Sequence, residues 1–173
     1  MSAGEPRLAV VSGGGTGIGR AIAAGLAADG FSVVILGRRS EVLEEAAGEL
    51  NAGLEADRVT WRQTDLTDPA AVQALADELT STYGTVDALV NNAGGTSGAG
   101  ADDLASVAEA WRSAYEQNVL SAVLLTQALL PLLPRPGGRI VLIGSMTSRT
   151  GGGAAPYGAA KAALNGWVVS LSA

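Results

Sequence analysis

Short runs of consecutive apolar residues alternate along the chain with longer stretches in which apolar residues recur every three or four positions. The predicted strands cover residues 8–12, 31–36, 59–63, 86–90 and 139–143. Most of them are largely apolar, as is typical of buried strands, whereas 59–63 also contains Thr60, Arg62 and Gln63. The periodic stretches predict helices at residues 18–28, 40–50, 69–83 and 104–130, with a last helix from residue 156. Because strands and helices alternate, the pattern predicts β-α-β units and a parallel sheet.

The residues between these segments support the same fold. Gly30 is placed to end the first helix, and Asp68 is placed to cap a helix whose first residue is Pro69. No internal repeat and no low-complexity linker divides the sequence. The predicted fold class is therefore α/β: a doubly wound, Rossmann-like parallel sheet in three α/β/α layers. We predict that residues 1–173 form a single domain.

Composition excludes several classes of protein. The chain has 173 residues, 47% of them hydrophobic, and its mean hydropathy of +0.26 excludes a disordered protein. A net charge of −6 without a basic cluster argues against a nucleic-acid partner. The chain has no Cys and no His, which removes disulfides, Ser-His-Asp triads and zinc sites with Cys or His ligands. An enzyme of this composition would move protons through Tyr, Lys, Asp, Glu or a cofactor.

Neither a targeting segment nor a membrane span is predicted. Residues 1–7 are short and polar, unlike a signal peptide. The longest apolar stretch, residues 119–133, contains Ser121, Thr126, Gln127 and Pro131 and falls short of the ~18–20 residues that a span requires. We therefore expect a cytoplasmic protein with no membrane partner.

A glycine-rich segment between the first strand and the first helix predicts a phosphate site. Glycines let the backbone approach a ligand closely, and a helix N-terminus offers free N–H groups to an anion. A Walker A loop would need Lys and Ser or Thr where Arg20 and Ala21 stand, so a dinucleotide pyrophosphate is favoured over a nucleoside triphosphate. The candidate cofactor-binding residues in this segment are Gly13, Gly15, Thr16, Gly17, Ile18 and Gly19.

The end of the second strand indicates which dinucleotide is bound. An NAD site usually carries Asp or Glu there to bind the ribose hydroxyls. Here Gly37 occupies that position, followed by Arg38 and Arg39, whose guanidinium groups suit a ribose 2′-phosphate. We predict NADP(H) in preference to NAD(H), with Arg38 as the first candidate and Arg39 as the second.

Tyr157 and Lys161 form the candidate reactive pair. They are four residues apart on the predicted last helix, so both side chains lie on one face. Pro156 fits the first position of that helix, which places the phenol near a helix N-terminus as well as near an ammonium group. Both neighbours favour the phenolate, so Tyr157 is the best candidate for acid–base chemistry in a chain without His.

Four features together resemble the short-chain dehydrogenase/reductase family over nearly the whole chain. The first three are the spacing of Gly13, Gly17 and Gly19, the Asn-Asn-Ala-Gly sequence at residues 91–94, and the Tyr-x-x-x-Lys pair. The fourth is the chain order of a catalytic tetrad: Asn118, Ser145, Tyr157 and Lys161. The resemblance implies hydride transfer between the nicotinamide of NADP(H) and a carbonyl or secondary alcohol.

The resemblance also implies a role for each residue of the tetrad. Tyr157 exchanges a proton with the substrate oxygen, and Ser145 donates a hydrogen bond to that oxygen. Lys161 favours the phenolate and binds ribose hydroxyls, and Asn118 holds a water that continues the proton relay. Further cofactor contacts implied by the family are Asp65 and Leu66 at the adenine, and Asn92, Ala93 and Gly94 in support of the pocket.

The resemblance further implies a longer chain, since members of the family add two strands and a substrate-covering loop after the catalytic helix. We therefore expect that the sequence is C-terminally incomplete. A non-catalytic dinucleotide-binding module is the alternative to an oxidoreductase. The expected partners are a small carbonyl or alcohol substrate, with the 3-oxoacyl type favoured, and further copies of the chain in a homodimer or homotetramer.

Overall fold

The structure is a computed structural model that describes residues 7–96 and 103–172. The five strands are β1 (Leu8–Ser12), β2 (Ser32–Gly37), β3 (Val59–Gln63), β4 (Ala88–Asn91) and β5 (Arg139–Leu142). The α-helices are α1 (Gly17–Ala28), α2 (Ser40–Ala52), α3 (Pro69–Tyr83), α4 (Leu104–Tyr115), α5 (Ser121–Leu129), α6 (Thr147–Thr150) and α7 (Ala155–Leu171).

The strands form one parallel sheet in the order β3-β2-β1-β4-β5. The chain first builds outward from β1 to β3 and then returns to the other side of β1 with β4. This reversal leaves a crevice at the carboxyl ends of β1 and β4, where doubly wound sheets bind ligands. The predicted α/β, Rossmann-like fold is confirmed.

Alternate residues of the strands face two separate hydrophobic layers. On one side Val10, Leu36 and Leu89 pack against α3 and α5. On the other side Val11 and Ile35 pack against α1 and α2. Every residue of β1 is buried, because the sheet is covered by helices on both faces. This rigid centre carries the strand ends that build the crevice.

Two helical regions differ from the sequence-based expectation. The helix predicted over residues 104–130 is interrupted by a π-helical segment, Glu116–Leu120, and ends in a 3-10 turn, Leu130–Leu132. The short helix α6 was not predicted, because its Thr-Ser-Arg-Thr sequence has no apolar period. The sequence also predicts a loop rich in Gly, Ser, Thr and Ala over residues 94–100, and this loop lies partly outside the described residues.

Within residues 7–96 and 103–172, no helix is long and apolar enough to cross a membrane. No cluster of three or more Asp, Glu, His or Cys side chains is arranged to hold a metal ion in that same part of the chain.

Candidate active site

A cleft of about 860 Å³ opens at the carboxyl ends of β1 and β4. Most of the residues selected from the sequence line it. Gly19 and Asn118 are buried and do not line it, and Ser145 follows the lining residue Gly144. The selected residues on the wall are Gly13, Gly15, Thr16, Gly17, Ile18, Arg38, Arg39, Asp65, Leu66, Asn92, Ala93, Gly94, Tyr157 and Lys161.

The glycine-rich turn is held against the end of β2. The backbone N–H of Gly13 donates to the carbonyl oxygen of Leu36 at 2.8 Å. Helix α1 follows at once and packs so tightly on the turn that a Cβ on Gly19 would lie 2.3 Å from the carbonyl oxygen of Gly13. The N-terminus of α1 therefore lies directly at the cleft, with its first N–H groups available to an anion.

Ser12 and Asn92 join the ends of β1 and β4. The Ser12 hydroxyl, which is buried, accepts from the backbone N–H groups of Asn92 and Ala93, both at 2.9 Å. The Asn92 amide donates in return to the carbonyl oxygens of Ser12 at 3.0 Å and Gly13 at 3.2 Å. These four bonds hold the glycine-rich turn against the end of β4.

Exposed charges lie at the other end of the cleft, after β2 and β3. The Asp65 carboxylate accepts from the backbone and the hydroxyl of Thr67, at 3.0 and 2.7 Å. These bonds, together with the charge of Arg38, hold the pKa of Asp65 below its usual value. The Gln63 amide donates to the carbonyl oxygen of Arg38 at 3.0 Å. Arg38 and Arg39 are both exposed on this wall.

Lys161 and Tyr157 lie together on the wall formed by α7. The Lys161 side chain is only 3% exposed, and its Nζ lies 5.8 Å from the centre of the Tyr157 ring. Nζ donates to the carbonyl oxygen of Ile143 at 3.0 Å. Burial lowers the pKa of Lys161. An ammonium has three donors, so two remain for partners in the cleft.

Asn118 lies in the π-helical segment and is completely buried. Its Nδ2 donates to the carbonyl oxygens of Gly95 and Ala114, both at 2.9 Å, and its Oδ1 accepts from the Gly95 N–H at 3.1 Å. The side chain therefore fastens the loop after β4 to the helix behind it. Its predicted role in holding a water stays a prediction. π-Helical segments of this kind occur frequently at functional sites.

Ser145 is half-buried in the turn after β5, and its hydroxyl contacts Thr147 rather than Tyr157. The two hydroxyl oxygens are 2.8 Å apart. Sequence reasoning missed Thr147, and the only available signal was its position two residues after Ser145. It also missed Val42, Leu43 and Thr64, which line the cleft on the side of Arg38.

A family model described as short chain dehydrogenase matches residues 7–173. The chain therefore belongs to the short-chain dehydrogenase/reductase family of oxidoreductases, as its resemblance predicts. It is similar to the 3-oxoacyl-[acyl-carrier-protein] reductase FabG of Escherichia coli, with 35% identity over 175 residues that cover 97% of this chain and 67% of that protein.

Solved structures give the same result. L-Sorbose reductase from Gluconobacter frateurii, solved with NADPH and L-sorbose, has a TM-score of 0.85 and 33% identity, covering 96% of this chain and 63% of that one. An NADP active-site complex of RhlG from Pseudomonas aeruginosa also has a TM-score of 0.85 and 33% identity, covering 95% and 65%. The chain thus spans about two thirds of the length of these relatives.

Proposed function

We propose that the protein is an NADP(H)-dependent reductase that interconverts a carbonyl and a secondary alcohol, with Tyr157 as the general acid and base. One observation carries this proposal. A buried lysine, held by the carbonyl oxygen of Ile143, places its ammonium beside the Tyr157 phenol on the wall of the cleft. The relatives with NADPH or NADP in their structures support the choice of cofactor.

The residues present fit NADP(H). The N-terminus of α1 and the turn at Gly13 would hold the pyrophosphate, because a backbone without Cβ atoms leaves room for it there. Arg38, with Arg39 beside it, would hold the ribose 2′-phosphate. Asp65, Leu66 and the apolar side chains of Val42 and Leu43 line the remaining end, which suits an adenine.

The chain's own residues supply position and proton transfer. Bound NADPH supplies the hydride. The Tyr157 hydroxyl gives its proton to the substrate oxygen as negative charge develops there, and in the reverse direction the phenolate removes it. The positive charge of Lys161 lies beside that phenolate, and the ammonium donors that Ile143 does not use would bind ribose hydroxyls. Ser145 donates a hydrogen bond to the same substrate oxygen.

The substrate class that we propose is a 3-oxoacyl thioester. FabG of Escherichia coli, which is 35% identical to this chain, is named as a 3-oxoacyl-[acyl-carrier-protein] reductase, and this relative supports the choice. The alternative of a non-catalytic module is not favoured, because reductases are found among both the sequence relatives and the solved structures.

The experiment is NADPH oxidation, followed by absorbance, against a panel of 3-oxoacyl thioesters and simple ketones. Tyr157→Phe is the matched control, since it removes one oxygen and leaves the ring beside Lys161. We expect turnover by the wild type and a loss of about 10²–10⁴-fold in the variant, the usual contribution of a general acid. Equal turnover in both would reject the role of Tyr157, and no turnover by the wild type would reject the proposed function.

We further propose that the protein assembles as a homodimer or homotetramer. Four apolar side chains lie three or four residues apart along α4: Leu104, Val107, Trp111 and Tyr115, which are 86, 37, 40 and 40% exposed. Their alignment on one helix face supports a partner surface there. Sedimentation of the wild type beside Trp111→Glu tests this, since a charge on that face should dissociate the assembly. The expected cytoplasmic location and the single domain stay predictions.

A further inference from the structure

Thr147 contacts the Ser145 hydroxyl through two of its own atoms. The Thr147 hydroxyl oxygen lies 2.8 Å from Ser145 Oγ, and the Thr147 backbone N–H donates to the same Oγ at 3.3 Å. Both side chains are half-buried at the start of α6. One neighbour, two positions along the chain, therefore makes both hydrogen bonds that the Ser145 hydroxyl has in the described residues.

These contacts bear on the direction in which Ser145 can form its next hydrogen bond. A serine hydroxyl has one proton and two lone pairs. The Thr147 N–H uses one lone pair, and the Thr147 hydroxyl uses the other when it donates. The Ser145 proton is then the only part of the hydroxyl left for a ligand. A carbonyl oxygen accepts hydrogen bonds and cannot donate one, so it matches a hydroxyl in this state.

We propose that Thr147 is a positioning residue that holds Ser145 as a hydrogen-bond donor toward the substrate oxygen. This inference rests on the proposed function, because it assigns Ser145 to the substrate. It adds a residue whose effect is exerted only through Ser145, and it explains why the Ser145 hydroxyl contacts Thr147 instead of Tyr157.

The same residue is packed against the helix that carries Tyr157. A Cβ on Gly158 would lie 3.3 Å from the carbonyl oxygen of Thr147, which shows how closely α6 and α7 approach. Ser148 makes a second connection between the two regions. Its hydroxyl donates a hydrogen bond to the carbonyl oxygen of Ser145 at 2.6 Å and accepts one from the side-chain amide of Asn165, in α7, at 3.4 Å. The turn that carries Ser145, helix α6 and helix α7 with Tyr157 are therefore packed together, and Thr147 contacts both Ser145 and α7.

Three variants test the proposal: Thr147→Val, which removes the hydroxyl and keeps the shape, Thr147→Ser, which keeps the hydroxyl, and Thr150→Val as the matched control. Thr150→Val makes the same change at an exposed threonine of α6 whose hydroxyl donates to the carbonyl oxygen of Met146. The assay measures kcat and KM with a carbonyl substrate that the wild type reduces, and the Kd of NADPH by fluorescence. We expect Thr147→Val to lower kcat about tenfold, the effect of one hydrogen bond near the upper end of the usual range. Its NADPH affinity should stay within about twofold, while Thr147→Ser and Thr150→Val should stay within about threefold of the wild-type kcat.

The outcomes are distinct. If the wild type reduces none of the carbonyls, the proposed function is rejected, and the role of Thr147 is rejected as well because it depends on that function. If the wild type is active and Thr147→Val equals it, only the role of Thr147 is overturned. The same holds if Thr147→Ser is as impaired as Thr147→Val, since the hydroxyl would then not matter. A parallel loss of NADPH affinity and thermal stability in Thr147→Val would show a structural role and would also overturn the inference.

Discussion

Lys161 Nζ donates a hydrogen bond to the backbone carbonyl oxygen of Ile143, 3.0 Å away and 18 residues earlier in the chain. Ile143 directly follows β5, so this bond fixes the ammonium to the end of a strand rather than leaving it on a flexible stem. The bond also fastens α7 to the sheet beside the cleft. A side chain placed in this way keeps its position before any cofactor binds.

The burial of Lys161 predicts a dependence of stability on pH. Burial lowers the pKa of Lys161 from 10.5 in the folded chain, so between the lowered value and 10.5 the unfolded chain binds more protons. The free energy of unfolding therefore gains a contribution that rises with pH through this window. In Lys161→Met that contribution is absent, so the stability of the variant minus that of the wild type should fall as pH rises from neutral toward 10.5.

Urea unfolding at several pH values measures this difference. Both chains should carry Tyr157→Phe, so that ionisation of the neighbouring phenol does not contribute. A difference that stays constant between neutral pH and 10.5 would contradict a lowered pKa for Lys161.

Arg38→Ala should weaken NADPH binding by about 10–100-fold, because a hydrogen bond to a charged group contributes about 1.5–3 kcal/mol. NADH lacks the 2′-phosphate, so its affinity should change by less than about threefold. Fluorescence titration with both nucleotides measures the ratio, and Arg39→Ala is the matched control. A larger effect in Arg39→Ala would assign the phosphate to the second arginine, and equal losses for NADPH and NADH would exclude the phosphate contact.

Gly94→Ala should destabilise the protein by about 1–3 kcal/mol, the usual cost of overpacking. A Cβ at this position would lie 2.4 Å from Asn118 Oδ1 and 3.3 Å from Lys161 Nζ. Gly95→Ala is the matched control, because a Cβ on Gly95 meets nothing within 4 Å among the described residues. Chemical unfolding compares the two, and equal stability would show that the close approach at Gly94 relaxes without cost.

Asn118→Ala should loosen the loop after β4. The variant removes the partners of both the N–H and the carbonyl oxygen of Gly95, and each group left without a partner costs about 1–3 kcal/mol when it is kept from water. Hydrogen exchange at the Gly95 amide should therefore become faster than in the wild type, while exchange within β1 stays slow. Unchanged protection at Gly95 would mean that the loop is held by other contacts.

Much of the fold is readable from the sequence because most of its strands are largely apolar runs between helical stretches. The predicted bounds of β1 and β3 match the structure, and β2 shifts by one residue to Ser32–Gly37. β4 was placed two residues too early because Val86 is apolar and completely buried, although it lies outside the strand. Burial and strand pairing are different properties, and a hydrophobic pattern reports only the first.

The site was predictable where its chemistry lies in local spacing. The glycine-rich turn, the two arginines and the pair Tyr157 and Lys161 all line the cleft. Asn118 is a poor helix former, so a local kink in the long helix could be expected there. Its hydrogen-bonded partner, Gly95, was not predictable, because it lies 23 residues away in sequence. Thr147 was not predicted for a different reason. It is close to Ser145 in the sequence, but no apolar periodicity or cluster of charges marks it as part of a site.

Lys161 is the single lysine among these 173 residues; the other ten basic side chains are arginines. Amine-directed chemistry therefore has one side-chain target here, and that target lies 3% exposed in the wall of the cleft. The extent of acylation at Lys161 therefore measures how open the cleft is, and mass spectrometry detects it as one acyl group in addition to that on the terminal amine. A residue that we propose to act beside the Tyr157 phenol thus also reports how accessible the cleft is to a reagent.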